Sequence, residues 1–334
     1  MITTGEFPPG TDAPIVPAGT TGRRRDSGAL SRRRTRSERR ARLDERTVIS
    51  QKDLLRPSVR WTLRLIEALV AIALVIAGAG PMLWLFKAAT STTQDTLREP
   101  FSLWPSGFHG ENLAEAWVRL DVGTSLLNTV WLALGSWFFT LFVCVTGAYV
   151  LSVLRPKWGN VLSALVLATL FIPGVVSLVP LYLTVLDMPI TGTSLQNTFW
   201  AVWLPSAANA FNVVIIKKFF DALPAELFEA AKIDGAGPIR ILVSIVLPLS
   251  RPILGVVSLL TIVAAWKEFL WPLLVLTDPA LQPLSVSLPR LATTSEISLL
   301  MAGLFIAVFI PVALFLIFQK QFLRGVGMSS GIKG

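Results

Sequence analysis

Six apolar runs, at residues 63–87, 125–154, 161–186, 198–220, 253–277 and 299–320, constrain this chain more than any other feature. A helix needs about 20 residues to cross roughly 30 Å of hydrocarbon, and every run is long enough. Inside lipid each backbone N–H and C=O must be satisfied within the protein, so such runs are read as helices. Only 15% of residues are charged against 53% hydrophobic, which excludes an ordinary soluble domain. The expected fold class is an all-α membrane protein with six transmembrane helices.

The net charge of +9 invites a nucleic-acid reading, but its distribution argues against one. Residues 1–60 carry 14 Lys/Arg and 7 acids, so most of the surplus sits in one tail before the first run. A basic tail in that position sets topology or touches anionic lipid. Segment 1–60 is poor in apolar residues and is expected to be a disordered cytoplasmic tail. The first run also begins too late for a secretory signal peptide. If 1–62, 155–160, 217–252 and 320–334 face the cytoplasm, that side holds 24 Lys/Arg. The opposite loops hold Arg98, Arg119 and Arg290, with Lys87 at their border. The positive-inside rule then leaves both termini in the cytoplasm, with 61–324 as the membrane domain and 325–334 as a C-terminal tail.

Helix breakers and polar residues interrupt several runs. The third is cut by Pro173-Gly174 and again by Pro180, which predicts either an uneven, packed helix near a pathway or a simple kink. In the fourth, Asn209 and Asn212 stand three apart and are expected on one helix face, where they need helix partners or a water-filled path. The second run offers Ser136 and Thr140 as polar helix contacts. Lys267-Glu268 in the fifth is expensive in an apolar span unless paired or wet. Adjacent residues do not face each other, so each needs its own partner, through packing, a subunit contact or a pathway. The candidate pathway residues are Tyr182, Trp203, Asn209, Asn212, Lys267 and Trp271; Trp84 and Trp158, near span ends, read as interface anchors.

Between the fourth and fifth runs lies a polar, turn-broken loop, 221–252. Leu223, Leu227 and Ala231 recur every fourth residue, with Phe228 beside them, and predict a short amphipathic helix. Pro224 suits its first turn, and Glu226 and Glu229 sit early, where the helix dipole favours acids. Asp234-Gly235-Ala236-Gly237-Pro238 then forces a turn. A second helix carries Ile241, Leu242, Ile245 and Val246 before Pro248 and Pro252 redirect the chain. An apolar stripe outside the membrane needs cover, which could be the lipid surface or a groove on a cytoplasmic partner.

That loop resembles the cytoplasmic EAA signature of ATP-binding-cassette importer permeases: Glu229-Ala230-Ala231, then Gly235, then Ile245-Val246-Leu247-Pro248. Within that group, residues 60–334 are similar to the MalG-type carbohydrate permeases, including WKEFLWPL at 266–273 and the C-terminal sequence from Gln321 onward. The resemblance implies a type I importer permease fold, six helices with cytoplasmic coupling helices, in a bacterial plasma (inner) membrane. It further implies a second permease subunit, two ATP-binding subunits, an extracytoplasmic solute-binding protein and a carbohydrate substrate. Coupling to the ATPase would fall on Glu229, Ala230, Ala231, Asp234, Gly235 and Pro248. A regulatory contact of the C-terminal tail would fall on Gly325, Gly331 and Lys333. Two features depart from the group: Lys267 stands where its members often carry Asn, and the basic opening is longer than theirs.

The chain has no GxxxxGK[ST] phosphate loop, so it is not expected to be an enzyme or to bind a cofactor; ATP and Mg are expected on the partner subunits. A single cysteine, Cys144, excludes an internal disulfide and a Cys-rich metal site, and His109 alone leaves too few parts for a Ser-His-Asp triad. The expected function is the membrane half of an ATP-driven sugar importer working by alternating access. The alternative is a permease of the same machinery for a polyol or glycerol phosphate. A stand-alone secondary transporter, marked by inverted repeats with paired broken helices, is the rival from another class.

Overall fold

The computed structural model of the protein describes residues 57–328 apart from 103 and 190, and within that range all side chains but those of 60, 314 and 318–328. Of the tail expected at 1–60, residues 1–56 lie outside the described residues and 57–60 open the first helix; Gly331 and Lys333 also lie outside, and Gly325 falls in the last helix. Contacts divide the chain into a unit ending at Ala77 and a unit beginning at Gly78. Of the first, the described part is the opening of one helix.

Among the described residues every regular element is helical. Those of six residues or more are, in order, α1 (Pro57–Ala89), α2 (Thr93–Arg98), α3 (Glu111–Arg119), α4 (Val122–Tyr149), α5 (Gly159–Thr169) and α6 (Leu178–Leu186). Then come α7 (Trp200–Ala207), α8 (Ala210–Asp221), α9 (Ala225–Ile233), α10 (Arg251–Lys267), α11 (Leu270–Val275), α12 (Leu284–Leu291) and α13 (Ile297–Met328). Three stretches are long and apolar enough to cross a membrane: Pro57–Ala89, Val122–Leu154 and Ile297–Ile317. There are up to five if each of two bent pairs is one span. The run at 198–220 is divided into α7 and α8, of 8 and 12 residues, neither able to cross alone. The fold is therefore an all-α, multi-pass membrane type.

Proline explains where the third run breaks. Pro173 has no N–H to give a helix and disfavours helical geometry in the residue before it. The chain there turns extended (φ −59°, ψ 130°), and the two halves meet at 100°. Pro180 causes no break, because it falls in the first turn of α6, where its N–H would be unpaired anyway.

Within the unit from Gly78 onward, α4 is the common wall. Val122 at its start joins a core with Leu120, Leu284, Leu288 and Leu299; Leu132 joins a second with Val185, Ala201, Val202 and Val275. Cys144 and Tyr149 near its end join a third with Ile216, Phe220, Ala231, Ile241 and Val246. Gly135 lets α7 approach, since any Cβ there would collide with the Trp203 ring. The loop after α1 is pinned by a buried lysine. Lys87, 1% exposed, donates to the Glu99 carbonyl at 3.0 Å and lies 3.9 Å from the Asp95 carboxylate.

Candidate functional site

Between the second and third cores, α4 turns a polar stripe, Ser136 and Thr140, toward an open cavity of about 930 Å³. Three interruptions of the helical chain converge on it. Gly174 to Leu178 comes from the α5–α6 break, Ser206 to Asn209 from the α7–α8 break, and Lys267 to Trp271 from the α10–α11 break. Each interruption frees backbone groups that lipid could not satisfy, so irregular backbone at this depth is tolerated where protein or a wet cavity receives it.

The freed groups have identifiable partners. The Thr140 hydroxyl donates to the Ser206 carbonyl at 3.0 Å, and the Cys144 thiol to the Ala207 and Asn209 carbonyls at 3.6 and 3.5 Å. These two side chains, four residues apart on one face of α4, cover the gap between α7 and α8. Asn209 caps α8, its side-chain oxygen accepting the Asn212 N–H at 3.0 Å, while the Asn212 amide donates to Thr261 on α10 at 3.4 Å. Pro205 cannot donate to the carbonyl four residues earlier, and the Trp271 indole donates to that carbonyl, Ala201, at 2.9 Å. Pro311 leaves the Ala307 carbonyl free in the same way, and the Trp266 indole donates to it at 3.3 Å. Two tryptophans bracketing the α10–α11 break thus replace two hydrogen bonds that prolines remove.

The loop from 221 to 252 is built outward from the third core. Pro224 (φ −58°, ψ 130°) caps the start of α9. Its end is a Schellman motif: Gly235 takes φ +75°, the Ala236 N–H donates to the Ala231 carbonyl at 2.9 Å, and the Gly235 N–H donates to the Lys232 carbonyl at 3.1 Å. Pro238–Leu249 returns as a helix with a π turn at Leu242–Val246, then bends by 80° into α10. The Tyr149 hydroxyl donates to the Pro238 carbonyl at 2.8 Å and ties this leg to α4. Beside it, Asp221 accepts from Lys217 of its own helix at 2.8 Å and from Ser152 at 2.6 Å, which joins the end of α8 to the π turn Val150–Leu154 that follows α4. Ala231, Ile241 and Val246 are buried, so much of the apolar stripe is covered by this chain's own helices. Ile233 and Ile239, on either side of the Gly235 turn, are 86% and 78% exposed.

Of the sequence-derived pathway residues, Asn209, Asn212, Lys267 and Trp271 line the cavity. Two do not. Tyr182 packs against the second core, and Trp203 stacks among Phe139, Phe199 and Trp200. Asn209 and Asn212 do not share a helix face either: Asn209 has extended backbone and caps the helix that Asn212 belongs to. In the loop, Glu229, Ala230, Asp234, Gly235 and Pro248 are exposed, and Ala231 is buried. Thr140, Ser206 and Thr261 were not singled out as pathway residues by sequence reasoning. The available signal was the four-residue spacing of Ser136, Thr140 and Cys144 within an apolar run.

Residues 144–327 match the family described as binding-protein-dependent transport system inner membrane component. The probable ABC transporter permease protein YurM of Bacillus subtilis (strain 168) is 33% identical over 264 residues, covering 78% of this chain and 85% of that protein. The sn-glycerol-3-phosphate transport system permease protein UgpE of Agrobacterium fabrum is 29% identical over 274 residues, covering 79% of this chain and 95% of its own length. Among solved structures, a chain of a bacterial ABC transporter involved in the import of the acidic polysaccharide alginate is similar with a TM-score of 0.68 at 21% identity. That likeness covers 83% of this chain and 99% of the other.

Proposed function

Because the chain belongs to the family of binding-protein-dependent transport system inner membrane components, we propose that it forms one wall of the solute path in an importer for a small polyhydroxylated solute, with glycerol phosphate as the leading candidate. Membership makes it a permease subunit of an ABC importer, with ATP hydrolysis carried by separate subunits. The observation that carries the finer reading is the convergence of three broken helices on one cavity edged by hydroxyl and amide groups. Broken helices at a membrane cavity are a recurrent way of presenting polar groups to a solute. The glycerol-phosphate permeases among the relatives favour that solute over the sugar implied by the narrower MalG-type resemblance.

In this reading the three breaks are hinges. The α7–α8 and α10–α11 breaks are bonded by side chains of neighbouring helices, Thr140, Cys144 and Ser285, and the α5–α6 break by its own Ser177, so the halves can tilt without melting. The loop at 221–252 is the lever. Ile233 and Ile239 present apolar contact to an ATP-binding partner, with Glu229, Ala230, Asp234 and Pro248 around them, and the buried Ala231, Ile241 and Val246 carry the push into α4 and α8. Six crossings, cytoplasmic termini in a bacterial plasma membrane, a second permease, a solute-binding protein and a C-terminal contact through Gly325, Gly331 and Lys333 complete the proposal.

Uptake of labelled sn-glycerol 3-phosphate, glycerol, xylitol and maltose is to be compared in cells with and without the gene. Loss confined to the phosphate ester or the polyols supports this solute class; loss of maltose uptake alone sinks it. For the lever, Gly235→Val should cut uptake on the order of tenfold with the chain still in the membrane, because a β-branched residue resists positive φ. Gly235→Asn, which tolerates that conformation, should retain most of it. Nothing lies within 4 Å of a Cβ added there, so the comparison isolates backbone conformation from collision.

A further inference from the structure

Two charged side chains line the cavity, Lys267 and Glu268, and they are not equivalent. The Glu268 carboxylate accepts the Trp271 N–H at 3.3 Å, which ties it to the opening turn of α11, and its carbonyl accepts the Ser285 hydroxyl at 2.6 Å. Lys267 is exposed and enters none of the ion pairs among the described residues. A lysine in the last turn of α10 offsets the helix dipole, which makes it tolerable there, and its side chain brings three N–H donors to the cavity lining. An ammonium in an apolar span is costly unless water or an anion meets it.

The hydroxyls divide similarly. Thr140, Ser177 and Ser206 donate to backbone carbonyls, and Thr261 accepts from Asn212. Ser136, 2% exposed, has no hydrogen-bond partner among the described residues. A buried hydroxyl left unpaired costs free energy that a ligand hydroxyl would recover.

We infer that Lys267 sets the charge selectivity of the cavity: its ammonium receives the phosphate or carboxylate group of a polyhydroxylated solute, and Ser136 receives one of the solute hydroxyls. A neutral solute would meet only the hydrogen bonds, whereas an anion also gains the attraction of a charge surrounded by low-dielectric walls. The inference rests on the importer reading and deepens it.

Ala264 is exposed, lines the cavity and stands three residues before Lys267, on the same helix face. In a Cys144→Ser background, Ala264→Cys makes a reporter of local charge in the assembled complex. The complex is held in phosphatidylcholine nanodiscs without ATP, and the labelling rates of anionic sulfonatoethyl and cationic trimethylammonioethyl methanethiosulfonate are measured. Lys267→Gln should lower the anionic-to-cationic rate ratio on the order of fivefold to tenfold at low salt, and Lys267→Arg should keep it. Millimolar sn-glycerol 3-phosphate, but not glycerol, should slow the anionic reagent. An unchanged ratio in Lys267→Gln overturns the inference, and Lys267→Asn repeats the comparison if the Gln variant does not assemble. A ratio that responds to replacing phosphatidylcholine by phosphatidylglycerol, with no effect of glycerol 3-phosphate, also overturns it, since the ammonium then serves lipid headgroups. These rates need neither transport nor a known solute, so a failed uptake panel leaves them independently readable.

Discussion

Lys87 and Lys267 each sit in the last turn of a long apolar helix, and they meet opposite surroundings. Lys87 is enclosed: its ammonium donates to the Glu99 carbonyl, Asp95 lies 3.9 Å away, and Asp95 in turn accepts the Ser106 N–H at 3.2 Å. Lys267 stands at the edge of an open cavity, outside every ion pair among the described residues. A buried charge with a complete set of partners braces the loop it is tied to, and removing it strands those partners. An unpartnered one facing water contributes little to the fold and is free to meet a ligand.

The largest effect should come from breaking the enclosed site. Lys87→Met, similar in volume but unable to donate, should lower the thermal midpoint in detergent by roughly 5 °C or more. A midpoint unchanged from the parent would show that this lysine is no brace. Thr140→Val tests the cavity wall itself. It strands the Ser206 carbonyl in the α7–α8 gap, and the expected cost is about 1 kcal/mol, seen as a drop of roughly 2–4 °C.

Acid should weaken the enclosed site more gently. The Ser106 backbone N–H holds the Asp95 carboxyl below its usual value of 3.8, against the opposing effect of burial and with help from Ser91 and Lys87. A carboxylate whose pKa is depressed by folding contributes stability that is fully present above the unfolded value and is lost as pH falls through the folded one. Thermal midpoints should therefore fall below about pH 4, and Asp95→Asn should flatten that slope. The smallest effect on stability belongs to Lys267→Gln, expected within about 0.5 kcal/mol of the parent. A large loss there would turn Lys267 into a second brace and erase the contrast.

Sequence reasoning located the ingredients of the cavity unevenly. Pro173-Gly174 announces a break because proline acts locally, by withholding an N–H and crowding its neighbour, whereas the run at 198–220 reads as one span and its break after Ala207 was not foreseen. The α10–α11 break carries no such mark at its centre, Lys267-Glu268-Phe269, and the charged pair alone drew notice to it. Asn209 and Asn212 were recognised as polar residues in need of partners, yet their spacing pointed to a shared helix face. A cap and a capped turn occupy the same three-residue interval, and only backbone geometry separates them. Tyr182 and Trp203 have the chemistry of a solute contact and serve in packing. An aromatic ring looks the same in sequence whether it borders a cavity or fits against Gly135.

What the chain alone determined is the part governed by local rules. Long apolar runs must become helices, Pro173-Gly174 breaks the third of them, and a glycine-centred turn ends α9, because each follows from satisfying the backbone within a few residues. Tertiary structure decided what those interruptions are for. It brought the three breaks, distant in sequence, to one side of α4, and it matched Trp271 and Trp266 to carbonyls freed by prolines on other helices. It also enclosed one helix-end lysine while leaving another open. Those outcomes depend on which helices pack together, and in lipid that choice rests on close approach and scattered hydrogen bonds that no short window of sequence contains.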